Sequence, residues 1–170
     1  IDNLFLKYNH IFNYLSSLVG NIDLYSSFSK IALENTYNRP IIDASKCMEN
    51  EKSYVIIEGL RHPIVEKIQK NIKYKKNDIS LGVNNNNGIL LFGTNACGKS
   101  TLMKAIGLNI VLAQAGLFVS TDKMTYYPYT QLFTRILNND NIFKSQSSFA
   151  VEMGELRGIL KRCNKKSIIL

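Results

Sequence analysis

The chain has 170 residues, of which 45% are hydrophobic and 20% charged, and its formal net charge is +8. That length supports one buried core with at most a small appendage, and the balance of apolar and charged residues excludes a disordered chain. No apolar run reaches the roughly 20 residues of a bilayer-spanning helix, and the basic excess suits polyanionic partners without defining a site.

In chain order, Leu4, Phe5, Tyr8, Ile11, Phe12, Leu15, Leu18 and Val19 recur at three- and four-residue steps. They predict one face of a long amphipathic helix, with His10 on its polar side. Gly20-Asn21 reads as its end. Asp23 then reads as the cap of a second helix to about Glu34, with Leu24, Phe28, Ile31 and Ala32 inward. Pro40 disfavours helical backbone at Arg39, so Tyr37-Asn38-Arg39-Pro40 closes that helix.

From Ile41 the character changes. Residues 54–57 predict a strand and residues 59–63 a turn, while residues 64–68 carry no clear signature. The run Asn84-Asn85-Asn86-Asn87 marks a polar turn, and Gly88-Ile89-Leu90-Leu91-Phe92 a short buried strand. A helix opening at Thr101 extends to near Gly116. Residues 132–137 predict a strand, residues 151–161 a helix with Met153, Leu156, Ile159 and Leu160 on its apolar side, and residues 167–170 a final strand. The expected organisation is a helical segment over residues 1–40 followed by an α/β nucleotide-binding unit over residues 41–170.

Between the apolar strand and the helix lies Gly93-Thr94-Asn95-Ala96-Cys97-Gly98-Lys99-Ser100. Gly93, Gly98, Lys99 and Ser100 are the four positions a phosphate-binding loop requires, in the strand–loop–helix context that gives the pattern a mechanism. Backbone N–H groups and the positive end of the new helix favour phosphate oxygens. Lys99 supplies a mobile ammonium to the β- and γ-phosphates, and the Ser100 hydroxyl a hard oxygen for Mg²⁺. A plain glycine turn between strand and helix is the alternative.

The three cysteines, Cys47, Cys97 and Cys163, are odd in number and widely spaced, which predicts neither a zinc site nor a disulfide framework. A reducing intracellular compartment is the expectation. Cys97 lies inside the loop near Lys99, but no base stands beside it in sequence, so it reads as a small loop residue and not a nucleophile. The absence of an initiator Met, and an apolar strand that stops at Leu170, read as an excerpt of a longer protein.

Five segments together resemble the ATPase end of the MutS family of DNA mismatch-repair proteins, in matching order and spacing over essentially the whole chain. They are Tyr37-Asn38-Arg39-Pro40, Glu58-Gly59-Leu60-Arg61-His62-Pro63-Ile64-Val65-Glu66, residues 93–101, Phe133-Thr134-Arg135-Ile136, and Ser147-Ser148-Phe149-Ala150-Val151-Glu152-Met153. The resemblance implies a P-loop NTPase fold of ABC-like type, incomplete here, behind the end of a helical lever. It implies that Gly93, Asn95, Gly98, Lys99, Ser100 and Thr101 hold the phosphates of ATP and Mg²⁺. Thr94, Ala96 and Cys97 complete the cradle where the family usually has Pro, Met and Gly, which suggests a divergent branch. Tyr74 would stack on adenine, or is a surface tyrosine in a lysine-rich loop. Ser147 would reach across a dimer interface to the partner's γ-phosphate, or would cap the helix that follows. Arg61 and His62 look structural. Residues 167–170 resemble the strand leading into the family's Asp-Glu pair, expected just past Leu170.

The function implied is ATP-driven switching of a dimeric clamp on mismatched DNA. Two other readings stand beside it. One is another ABC-type DNA-repair or chromosome-organising ATPase, which would carry very long heptad coils. The other is a basic nucleic-acid-binding module whose loop senses nucleotide without hydrolysis.

Overall fold

Asp2–Asn35 forms one helix, not two. The computed structural model of the chain describes residues 2–45, 52–69, 74–135 and 148–170, and α1 runs unbroken through Asp2–Asn35. Gly20 does not end it, because one glycine costs a helix interior only about 1 kcal/mol. Asp23 is therefore an interior residue and not a cap. Of the residues expected inward, Ala32 is buried and Phe28 half-buried, whereas Leu24 and Ile31 are exposed. The helix ends through Thr36, whose φ of 52° is left-handed, with Tyr37 N–H donating to Ala32 O at 2.9 Å. This closure comes four residues ahead of Pro40.

The contacts divide the chain into two compact units, Ile1–Tyr37 and Asn38–Leu170. The second is mixed α/β. In order it holds β1 (Ile41–Ile42), β2 (Val55–Leu60), the short α2 (Val65–Ile68), β3 (Asn77–Leu81), α3 (Lys99–Gln114), β4 (Lys123–Tyr126), β5 (Gln131–Phe133), α4 (Ser148–Arg162) and β6 (Ser167–Ile169). One sheet has the order β1-β4-β2-β3, with β2 antiparallel to both neighbours and β1 parallel to β4; a second pairs β5 and β6 in parallel.

β2 buries Val55, Ile57 and Leu60 and exposes Glu58. Its register slips between Ile57 and Leu60. Gly59 makes that slip possible: its φ is +64°, and a Cβ there would lie 2.1 Å from the Asp122 carboxylate. β3 was not expected, although Ile79 and Leu81 alternate with polar neighbours. It ends in a tight turn in which Asn84 and Asn85 both take positive φ and Asn86 N–H donates to Val83 O.

α3 lies on the core. Ala105, Ile106, Ile110 and Ala113 pack with Val55, Ile57, Leu60, Ile79, Met124 and Tyr126. Burial of each large side chain in that set contributes roughly 1.5–3 kcal/mol. Directional bonds sew the helix to its neighbours: Tyr126 Oη donates to Ala113 O, and Gln114 bonds both the N–H and the carbonyl of Tyr129.

Two expectations change here. Residues 88–92 carry no sheet pairing among the described residues; Leu90 and Phe92 are each 88% exposed. An unbroken apolar run suits a strand buried on both faces, and such a strand needs hydrogen-bonded neighbours that neither sheet supplies here. On α4 only Ile159 of the expected apolar side is buried, and Met153, Leu156 and Leu160 are exposed. Residues 136 and 137 of the strand expected over residues 132–137, Cys47, and Ser147 lie outside the described residues.

Candidate functional site

The loop between residue 92 and α3 takes its shape from three positive φ angles: Gly93 at 152°, Ala96 at 62° and Gly98 at 97°. Gly98 is the residue immediately before α3, where the left-handed backbone excludes most side chains even though space is open. Ala96 holds the same region without glycine's freedom, at a cost of roughly 1–2 kcal/mol. Residues 93–98 are all exposed.

The first hydrogen bond of α3 joins Leu102 N–H to Gly98 O at 2.9 Å. The N–H groups ahead of it have no intrahelical acceptor. No acidic residue occupies the first turn of α3, so its positive end faces no carboxylate of its own. Lys99 folds back over the loop. Its Nζ donates to Gly93 O and Thr94 O, each at 2.7 Å, and reaches Cys97 Sγ at 3.6 Å. Ser100 is exposed and Thr101 half-buried at the next two positions. Gly93, Thr94, Asn95, Ala96, Cys97, Gly98, Lys99, Ser100 and Thr101 are thus contiguous, on one loop and one helix end.

Tyr74 lies on a different segment of the chain. It is half-buried just before β3, and its phenol pKa is raised by burial and by the charge of Glu66. No described hydrogen bond or ring contact joins it to the loop. A cavity of about 470 Å³ lies behind the loop, lined by Ile89, Leu91, Leu102, Met103, Ile106 and Ile168 among others. No residue from 93 to 101 lines it, so this largely apolar space is separate from the loop's polar surface.

The Arg61-His62-Pro63 turn is built differently. Arg61 Nη1 pairs with Glu66 Oε2 at 3.0 Å, both side chains largely buried. His62 is buried, and its Nδ1 accepts the N–H groups of Ile64 and Val65 at 3.3 and 3.4 Å, at the start of α2. Burial above all, together with the nearby Lys104 charge, lowers the His62 pKa against the opposing pull of a backbone hydrogen bond and Glu66. A neutral imidazole is the form that can accept those bonds. Elsewhere, the Arg162 guanidinium lies 5.4 Å from the Phe133 ring centroid and the Lys166 ammonium 5.7 Å from that of Tyr127.

Sequence reasoning missed a buried polar cluster on α3. Asn109 is fully buried, and its side chain contacts the Arg61 carbonyl and both the N–H and the hydroxyl of Ser120. The available signal was a lone polar residue on the face that repeats Ala105, Asn109, Ala113.

Fold and site together define a mixed α/β protein in which an exposed glycine-bounded loop opens a core helix. The family model for MutS domain V matches residues 89–170. The chain is 35% identical, over its whole length, to the mitochondrial DNA mismatch repair protein mutS homolog of Sarcophyton glaucum, covering 17% of that protein. It is 38% identical over 92% of its length to the DNA mismatch repair protein MutS of Fusobacterium nucleatum, covering 16% of it. The chain belongs to the MutS family. It spans about one sixth of the length of these curated relatives.

Proposed function

We propose that residues 93–101 bind the phosphates of Mg·ATP, and that in the whole protein ATP binding and hydrolysis switch a dimeric clamp that recognises mismatched DNA. The fold of residues 41–170 is then the first part of an ABC-like P-loop ATPase domain, with residues 1–40 the end of a lever. The observation that carries the reading is Lys99. Its ammonium sits 2.7 Å from two loop carbonyls, at a helix end whose first turn holds no acidic residue. Phosphate oxygens offer that ammonium charge-assisted hydrogen bonds in place of neutral carbonyl contacts.

Gly93, Asn95 and Gly98, with Thr94, Ala96 and Cys97 between them, form the cradle; Thr101 continues it into α3. Ser100 is an exposed hard-oxygen donor suited to Mg²⁺. Among the described residues no group of three His, Cys, Asp or Glu could hold a metal, so Mg²⁺ here would rest on Ser100, phosphate oxygens and water. Bound Mg·ATP would supply the γ-phosphoryl group and a cation that neutralises its charge, while loop amides and Lys99 orient and stabilise it. Tyr74 is assigned to adenine and Ser147 to the partner subunit's γ-phosphate. Support for the mismatch-repair setting comes from family membership and the names of the relatives. No described helix is long and apolar enough to cross a membrane.

Calorimetry with Mg·ATP tests the reading. Lys99→Ala removes interactions worth about 1.5–3 kcal/mol each, so affinity should fall tenfold or more. Equal affinity in wild type and variant rejects it. Tight binding with no turnover by the whole protein favours instead the nucleotide-sensing module.

A further inference from the structure

The face of α3 that meets the core carries Ala105, Ile106, Ile110 and Ala113. Apolar contacts of this kind are non-directional, so they fix poorly where the helix sits along and about its axis. Directional bonds hold α3 at two places: at its C-terminal end, through Tyr126 with Ala113 O and Gln114 with Tyr129, and in its middle, through Asn109. Asn109 Nδ2 donates to Arg61 O at 3.2 Å and to Ala105 O at 2.9 Å. Its Oδ1 accepts Ser120 N–H at 2.8 Å and lies 3.0 Å from Ser120 Oγ. Both amide hydrogens are engaged, Oδ1 accepts the Ser120 N–H, and the single Ser120 hydroxyl proton is shared between Oδ1 and Arg61 O. Ser120 Oγ also lies 2.9 Å from Arg61 O, and Arg61 N–H donates to Ser120 O at 2.9 Å. One side chain thus ties the middle of α3 to two turns, one at the end of β2 and one just before β4.

We propose that Asn109 is a positioning residue for the loop at residues 93–101: it sets the register of α3 and so the placement of Lys99 and Ser100. This rests on the phosphate-binding reading of that loop. Lys99 precedes Asn109 by ten residues, about 15 Å along a rigid helix, so a tilt or slide at Asn109 is carried to the loop. Misplacing a binding group by about 1 Å can cost up to a hundredfold in a positioned reaction. Asn109 touches no ligand; it acts through the helix backbone.

The test measures Mg·ATP affinity and thermal midpoint together in the whole protein, for wild type, Lys99→Ala, Asn109→Leu and Ser120→Ala. Asn109→Leu keeps comparable bulk and removes every directional bond. It should weaken Mg·ATP roughly tenfold per folded molecule, well below its own midpoint. Ser120→Ala keeps the Ser120 N–H bond and removes only the hydroxyl, so the loss should be roughly two- to threefold. If Asn109→Leu does not fold, the Ser120→Ala affinity decides alone. A lowered midpoint with unchanged Mg·ATP affinity in the folded variants means Asn109 serves only stability, and overturns the proposal. Wild type binding no more tightly than Lys99→Ala removes the phosphate-binding reading, and the positioning role with it.

Discussion

The loop at residues 93–98 and the turn at residues 61–63 each carry a cationic side chain into a helix, yet they spend it in opposite ways. Lys99 opens α3 at the end of the exposed loop, and among the described residues its ammonium bonds only the loop's own carbonyls and Cys97. Arg61 is largely buried against Glu66, His62 caps the start of α2, and the Arg61 backbone is joined to Asn109 and Ser120. Apart from Glu66 Oε1, which has no hydrogen-bond partner among the described residues, the polar side-chain groups of the buried turn named above are committed to the fold, since leaving one unmade costs about 1–3 kcal/mol. Those of the exposed loop can exchange with water or an anion at little cost. Basic residues in a turn therefore do not mark a binding site; their commitments do.

The sharpest test of this contrast is Glu66→Ala. It removes the carboxylate from a guanidinium only 13% exposed. Breaking a fully buried pair costs roughly 3–5 kcal/mol; some exposure of both partners lowers the expectation to about 2–3 kcal/mol, read by urea denaturation. A loss under about 0.5 kcal/mol would place the turn in the same class as the loop. Lys99→Ala is the counterpart from the other region. Its tenfold or greater loss of Mg·ATP affinity should come with a stability change within about 0.5 kcal/mol, as for other exposed substitutions. A drop as large as that of Glu66→Ala would show that Lys99, too, is committed to the fold.

Legibility in the sequence followed the same division. The loop and α3 could be read because Gly93, Gly98, Lys99 and Ser100 lie within eight residues and act through local backbone geometry. The antiparallel pairing of β2 with β3, and the absence of pairing at residues 88–92 among the described residues, are non-local, and hydrophobicity alone does not specify neighbours. Gly20 misled because a weak propensity was read as a break. The asparagine run was read as a polar turn without the hairpin it closes, although Asn is among the residues that tolerate the positive φ seen at Asn84 and Asn85. Asn109 was invisible as a clamp because its partners lie 48 and 11 residues away and are mostly backbone atoms.

A smaller effect should appear with pH. The His62 pKa is lowered in the folded state, chiefly by burial, with Lys104 acting in the same direction and Glu66 against it. Unfolded, the imidazole titrates near 6.5. Above that value neither state is protonated and the full stability is present. As pH falls below it the unfolded chain takes up the proton first, and stability declines until the folded-state pKa is reached. His62→Asn keeps a neutral side-chain acceptor that does not titrate. The stability difference between wild type and this variant should shift against wild type from pH 8 to pH 5, measured by denaturant titration. A difference that is flat with pH, or shifts the other way, contradicts a neutral histidine at the start of α2.

The smallest expected change inverts the logic of the buried turn. Thr121 is fully buried next to Ser120, and among the described residues its Oγ1 has no hydrogen-bond partner. Its backbone groups are engaged, the N–H with Val119 O and the carbonyl with Asn38 Nδ2. The hydroxyl is therefore the one unfulfilled polar atom in a segment otherwise held by hydrogen bonds. A buried hydroxyl without a partner costs roughly 1–3 kcal/mol in protein interiors. Valine nearly matches threonine in shape, fills the same space and carries no such cost. Thr121→Val should accordingly stabilise the chain by about 1 kcal/mol, seen as a raised thermal midpoint, with Mg·ATP affinity unchanged because Asn109 and Ser120 keep their bonds. Destabilisation by the same amount would mean that the hydroxyl is bonded after all.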